Sequence, residues 1–229
     1  MPLDLTAPVA DLTRRIVDIA SVSGDEKALA DAVEETLSAL PHLTVIRDAD
    51  AVIARTSLGR DRRVVIAGHL DTVPINDNLP ARLDGDVLWG RGTVDMKGGC
   101  AVMLKLAAEL AEPGVDVTWV WYDHEEVDSS LNGLGRIART TPELLEADFA
   151  VLCEPSNGEV EGGCNGTLRA DVRVTGRRAH SARAWMGSNA IHAMAPVLAQ
   201  LAAYEPREAD VDGLVSREGP NAVRLRGGA

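Results

Sequence analysis

Apolar residues fall at helical spacing over residues 9–20, where Val9, Leu12, Ile16 and Ile19 share one face. The run Ser21-Val-Ser-Gly24 breaks that helix. A second one is predicted over residues 25–40, opening on acids and ending before Pro41. Residues 43–46 and 51–55 read as short strands. Residues 63–68 and 115–122 are apolar without alternation, the pattern of strands buried on both faces. Helices are predicted over residues 96–111 and 130–140, and a strand over 147–153. Strand and helix alternate, which predicts an α/β domain whose mostly parallel sheet is flanked by helices.

The texture changes after the glycine-rich residues 162–166. Residues 167–175 alternate like a half-exposed strand, 188–204 read as a helix and 222–225 as a last strand. The predicted division is a catalytic domain over 1–164 and the beginning of a smaller α+β domain over 165–229.

Composition narrows the function. A net charge of -12 disfavours phosphate backbones and anionic lipid, so neither nucleic acid nor a membrane surface is an expected partner. Aromatic residues make up 3% of the chain, so the core must be mostly Ala, Val, Leu and Ile. Cys100, Cys153 and Cys164 are odd in number and lack paired spacing, as expected of free thiols in a reducing compartment. With no signal-peptide pattern and no long apolar stretch, the expected location is the cytoplasm.

Chemistry-bearing residues stand just beyond the apolar runs. His69 and Asp71 form an H-x-D unit after one predicted strand. An imidazole there can ligate a metal while the carboxylate fixes its tautomer. Alone, so short a unit reads more readily as a loop His beside an Asp cap. Asp95 lies in a glycine-rich turn. It can cap the following helix, or bridge two cations about 3.5–4 Å apart. Glu125 and Glu126 follow the strand of residues 115–122. Such a pair is commonly a solvated loop, but beside an apolar segment it is costly without a cation. One carboxylate can then hold metal while the other handles protons. Glu154 follows a further strand. Four such positions in one alternating α/β chain point to ligands gathered at one sheet edge.

These residues resemble the M20 family of dinuclear zinc amidohydrolases and exopeptidases. The motifs that carry the likeness are G-H-L-D-T-V-P (68–74), G-R-G-T-V-D-M-K-G-G (90–99), H-E-E (124–126), C-E-P-S (153–156) and the block G-R-R-A-H-S-A-R (176–183). Within the family the chain looks most like the actinobacterial enzymes that remove succinyl groups from diaminopimelate. The resemblance implies a zinc-peptidase-like catalytic domain with an inserted lid and dimerisation domain. It implies two zinc ions per subunit, with cobalt as a possible substitute. His69 and Glu154 would hold one ion, Asp95 would bridge both, and Glu126 would hold the second. Glu125 would act as general base and acid, Asp71 would orient His69, and His180 would reach the partner subunit's site in a homodimer. The implied reaction is hydrolysis of N-succinyl-LL-2,6-diaminopimelate to succinate and LL-diaminopimelate, in lysine and diaminopimelate biosynthesis. Such an anionic substrate needs cationic contacts, for which Arg178 and Arg183 are the candidates.

The likeness also implies a segment that returns to the catalytic domain and supplies a last His to the second ion. Residues 1–229 end before it, so an incomplete lid domain and exposed apolar surface are expected. Two other readings stay open. One is acetylornithine deacetylation or another amidohydrolase or dipeptidase activity. The other is an inactive metal-binding or dimerising fragment.

Overall fold

A computed structural model describes residues 2–163 and 166–228. They form two compact units, Met1–Gly158 and Glu159–Ala229. In the first unit, α1 (Val9–Val17) and α2 (Lys27–Ser38) precede a hairpin of β1 (Thr44–Asp48) and β2 (Ala51–Arg55). β3 (Arg63–His69) follows, then a small separate hairpin of β4 (Arg82–Asp84) and β5 (Val87–Trp89). α3 (Gly98–Glu109), β6 (Asp116–Tyr122), α4 (Gly133–Thr140) and β7 (Phe149–Leu152) complete the unit.

The main sheet has the order β1-β2-β6-β3-β7. It is an α/β sheet, as expected, but mixed instead of mostly parallel. β6 and β7 each pair parallel to β3, whereas β1–β2 and β2–β6 are antiparallel. The reason is the short turn at Ala49-Asp50: so brief a connection can only reverse the chain.

β6 explains why its sequence lacks alternation. Val117, Trp119 and Trp121 pack on α1, α2 and α3, while Val120 and Tyr122 face the cluster containing Ile137 of α4. Both faces are covered, so every residue of β6 is buried. The parallel register aligns His69 with Tyr122, and Leu70 N–H donates to the Tyr122 carbonyl at 2.8 Å. The turns after β3 and β6 therefore leave the sheet side by side. β7 is the open edge, and its Phe149, Val151 and Leu152 are exposed.

The second unit contains α5 (Ala190–Ala202), β8 (Glu208–Val211) and β9 (Leu214–Arg217). The Asn189 side chain caps α5 by accepting from the N–H groups of Ile191 and His192. The strands expected over residues 167–175 and 222–225 are absent from the described residues, and the hairpin β8–β9 stands in their place. An alternating pattern does not make a strand without a partner to bond it. Cys164 lies outside the described residues. No helix among the described residues is long and apolar enough to cross a membrane.

Candidate metal centre

β3 delivers His69 to the carboxyl edge of the sheet with its ring almost wholly buried. The backbone holds that ring. Nδ1 lies 2.9 Å from the Asp71 carbonyl oxygen and 3.4 Å from Asp71 Oδ1. An Nδ1–H donated there leaves Nε2 as the free ligand atom. Nε2 stands 3.0 Å from Asp95 Oδ1 and 3.9 Å from Glu154 Oε2. Ligand atoms of His69, Asp95 and Glu126 all lie within 4.8 Å of one another.

Each acid reaches this point from a different element. Asp95 sits in the turn Thr93–Lys97 ahead of α3, not behind a strand of the main sheet, and its side chain caps no helix. Its peptide bond to Met96 is cis. Glu126 follows β6, and Glu154 follows β7.

Asp71 anchors the arrangement. Wholly buried, it accepts from Ser23 Oγ at 2.6 Å and from the backbone N–H groups of Glu125 and Glu126 at 2.9 and 3.1 Å. Burial raises its pKa, but the hydrogen bonds from His69, Ser23 and those amides prevail and hold it at about 2. Burial lowers the His69 pKa, yet Asp71, Glu154 and Asp95 outweigh it and lift the imidazole to about 9. Glu126 is pushed up by burial and then by the negative charge of Asp95. Glu154 is pushed up by burial and by Asp95 and Glu125, against the opposing pull of His69. Carboxylates crowded around one imidazole repel one another, a repulsion that a bound cation would offset. A nitrogen with several oxygens is a fitting donor set for zinc or a similar divalent ion.

Glu125 stands beside Glu126 with its backbone fixed by Asp71. His180 belongs to the second unit, exposed, with Nδ1 accepting from Ala182 N–H at 3.1 Å. Cys100 is buried, and its thiol donates to the His69 carbonyl at 3.1 Å.

Two supports were not foreseen from the sequence. Glu26 is fully buried and accepts from Gly24 N–H at 3.0 and 2.9 Å and from His124 N–H at 3.2 Å. Asp123 takes a two-toothed contact from Arg136 at 3.0 and 2.7 Å. Together they hold Asp123 and His124, the entry to the turn that carries Glu125 and Glu126. In sequence, Ser21-Val-Ser-Gly-Asp-Glu26 carries only the pattern of a helix break and an acidic helix start.

A mixed sheet, flanked by helices, with a buried His and carboxylates converging beyond its parallel strands is the layout of an α/β domain that gathers candidate metal ligands at one sheet edge. The chain belongs to Peptidase family M20/M25/M40, whose model matches residues 65–218. It is 53% identical over 227 residues to the "Putative succinyl-diaminopimelate desuccinylase DapE" of Mycobacterium tuberculosis, covering 99% of this chain and 64% of that protein. It is 48% identical over 231 residues to the succinyl-diaminopimelate desuccinylase of Corynebacterium glutamicum, covering 99% and 63% respectively. The chain thus spans under two thirds of the length of these relatives. Among solved structures, the M20 family metallo-carboxypeptidase Sso-CP2 from Sulfolobus solfataricus shares the fold, with a TM-score of 0.61 at 19% identity over 85% of this chain and 50% of that one.

Proposed function

We propose that the whole protein hydrolyses N-succinyl-LL-2,6-diaminopimelate to succinate and LL-diaminopimelate with zinc as its metal. The observation that carries the reading is the approach of His69, Asp95 and Glu126 within 4.8 Å. The desuccinylase names of relatives 53% and 48% identical to this chain support the substrate.

His69 and Glu154 would hold one ion, Asp95 would bridge, and Glu126 would hold a second. Zinc, when bound, supplies Lewis acidity toward an amide carbonyl and makes water easier to deprotonate near neutral pH. Glu125 takes the proton from the attacking water and returns it to the leaving amine nitrogen. Asp71 keeps His69 in the tautomer that presents Nε2, and its grip on the Glu125 and Glu126 amides keeps base and ligand in register. His180, supplied by a second copy in a homodimer, stabilises negative charge on the carbonyl oxygen. The second unit is the lid and dimerisation domain in this reading, and the protein works in the cytoplasm.

Steady-state turnover of N-succinyl-LL-2,6-diaminopimelate and of N-acetylornithine by the zinc-loaded whole protein tests the proposal. A higher kcat/KM on the succinylated substrate is expected. A higher value on the acetylated one would overturn the assignment.

A further inference from the structure

The sequence pointed to Arg178 and Arg183 for anion binding, and both are exposed residues of the second unit. The first unit holds a different arginine, beside the acidic cluster itself. A cleft lined by Thr72, Val73, Arg91 and Thr93 also reaches Asp95 and Glu126. Two of its lining residues each carry a buried polar atom without a partner, Thr72 Oγ1 and Arg91 Nε. Thr72 is 1% exposed.

Among the described residues, the half-buried arginines Arg47, Arg63 and Arg136 of this unit make ion pairs, whereas Arg55 and Arg91 make none. Arg47 binds Glu34 and Asp50, Arg63 faces Asp116, and Arg136 binds Asp48 and Asp123. Arg91 makes no ion pair among the described residues, in a chain of net charge -12. Leaving buried donors unsatisfied is costly, so such donors are ordinarily completed by a partner. The backbone is set firmly for the purpose. Arg91 N–H donates to the Asn78 carbonyl at 3.1 Å. At Gly90 an added Cβ would stand 2.7 Å from Val17 Cγ1, and Gly92 has a φ of +79°.

We propose that Arg91 and Thr72 form an anion subsite, where a carboxylate of the substrate docks while its amide faces the acidic cluster. The inference rests on the function proposed above and deepens it. A planar guanidinium matches a carboxylate in shape and charge, and the Thr72 hydroxyl adds a further donor. Asp95 and Glu126 share the cleft, so an anion is accepted only on the side where Arg91 stands. This arrangement selects acylated amino acids that carry a carboxylate at the right distance from the scissile amide. That carboxylate belongs either to the acyl group or to the amino acid, and the two sources are separable.

Calorimetric titration of the full chain with succinate and, separately, with LL-diaminopimelate makes the test, with zinc content measured on the same samples. At least one ligand should bind the wild type. Arg91→Met should weaken that ligand by about tenfold or more, Arg91→Lys should fall between, and Thr72→Val should weaken it several-fold. Succinate as the affected ligand assigns the subsite to the acyl group, and diaminopimelate assigns it to the amino acid. Equal affinity in wild type and Arg91→Met overturns the subsite, as does failure of both ligands to bind the wild type. Should Arg91→Met not fold, unchanged affinity in Thr72→Val overturns it instead. Arg91-dependent binding by a chain that retains no zinc would sink the functional reading and leave the subsite standing. Retained zinc with Arg91-independent binding would do the reverse.

Discussion

Glu125 and Glu126 are neighbours with opposite assignments, and their surroundings separate them. Glu126 contributes a ligand atom within 4.8 Å of those of His69 and Asp95, whereas Glu125 is outside that trio. Glu125→Gln is therefore expected to lower kcat of the whole protein by about 10²–10⁴-fold, with zinc content almost unchanged. Loss of zinc in that variant, read by elemental analysis, would instead make Glu125 a ligand. Much of the candidate centre was legible in the sequence, because His69, Glu125, Glu126 and Glu154 each stand directly behind an apolar run. Glu26 was not. An acid at the start of a helix ordinarily serves the helix dipole in water. Only the long-range approach of His124 shows that this one is buried.

Elements hold the centre through two clasps that can be tested. At Gly99, in the first turn of α3, an added Cβ would lie 2.5 Å from the Cys153 carbonyl oxygen and 3.2 Å from Cys153 Cβ. Gly99→Ala must push α3 away from the residue before Glu154, and an expected loss of about 1–3 kcal/mol follows, read by urea unfolding. Asp116 opens β6 and fastens the loop behind β2. Its carboxylate accepts from Thr56 Oγ1, Leu58 N–H and Arg60 N–H at 2.7, 2.9 and 2.9 Å. Burial raises its pKa, but these bonds and the Arg63 charge win and hold it at about 2. The unfolded value is about 3.9. Because the folded value is the lower one, the stabilisation is fully present above about pH 4 and is lost as pH falls toward about 2. Asp116→Asn should thus cost about 2 kcal/mol at pH 7, and the difference from wild type should shrink through that acidic window.

Strand legibility followed burial at this same scale. β3 and β6 were plain because both faces are covered. β4 and β5 were missed because they are mostly exposed and short. β8 and β9 were missed although Asp212-Gly213 joins them. Both residues have positive φ, +54° and +84°, the pairing a tight hairpin favours. That dipeptide outweighed the alternation farther upstream.

Across the whole molecule, the two units differ in how they are stabilised. The first has a core built around Trp119, Trp121, Leu29 and Leu104, each at 0% exposure. The second has no buried residue among those described, and Trp185 of this unit is 79% exposed. Amide hydrogen exchange should therefore be fast in α5, β8 and β9 and slow in β6, since protection follows buried apolar contact. Equal protection of β6 and α5 would show that the second unit draws stability from contacts of its own.

The central claim is that a buried imidazole and acids from separate elements form a cage for divalent metal. Zinc affinity of the full chain, measured by competition with a chromophoric chelator, tests it most directly. The account predicts tight binding by the wild type and a loss of about two orders of magnitude or more in His69→Ala. Equal zinc affinity in the two proteins, both folded, would contradict it.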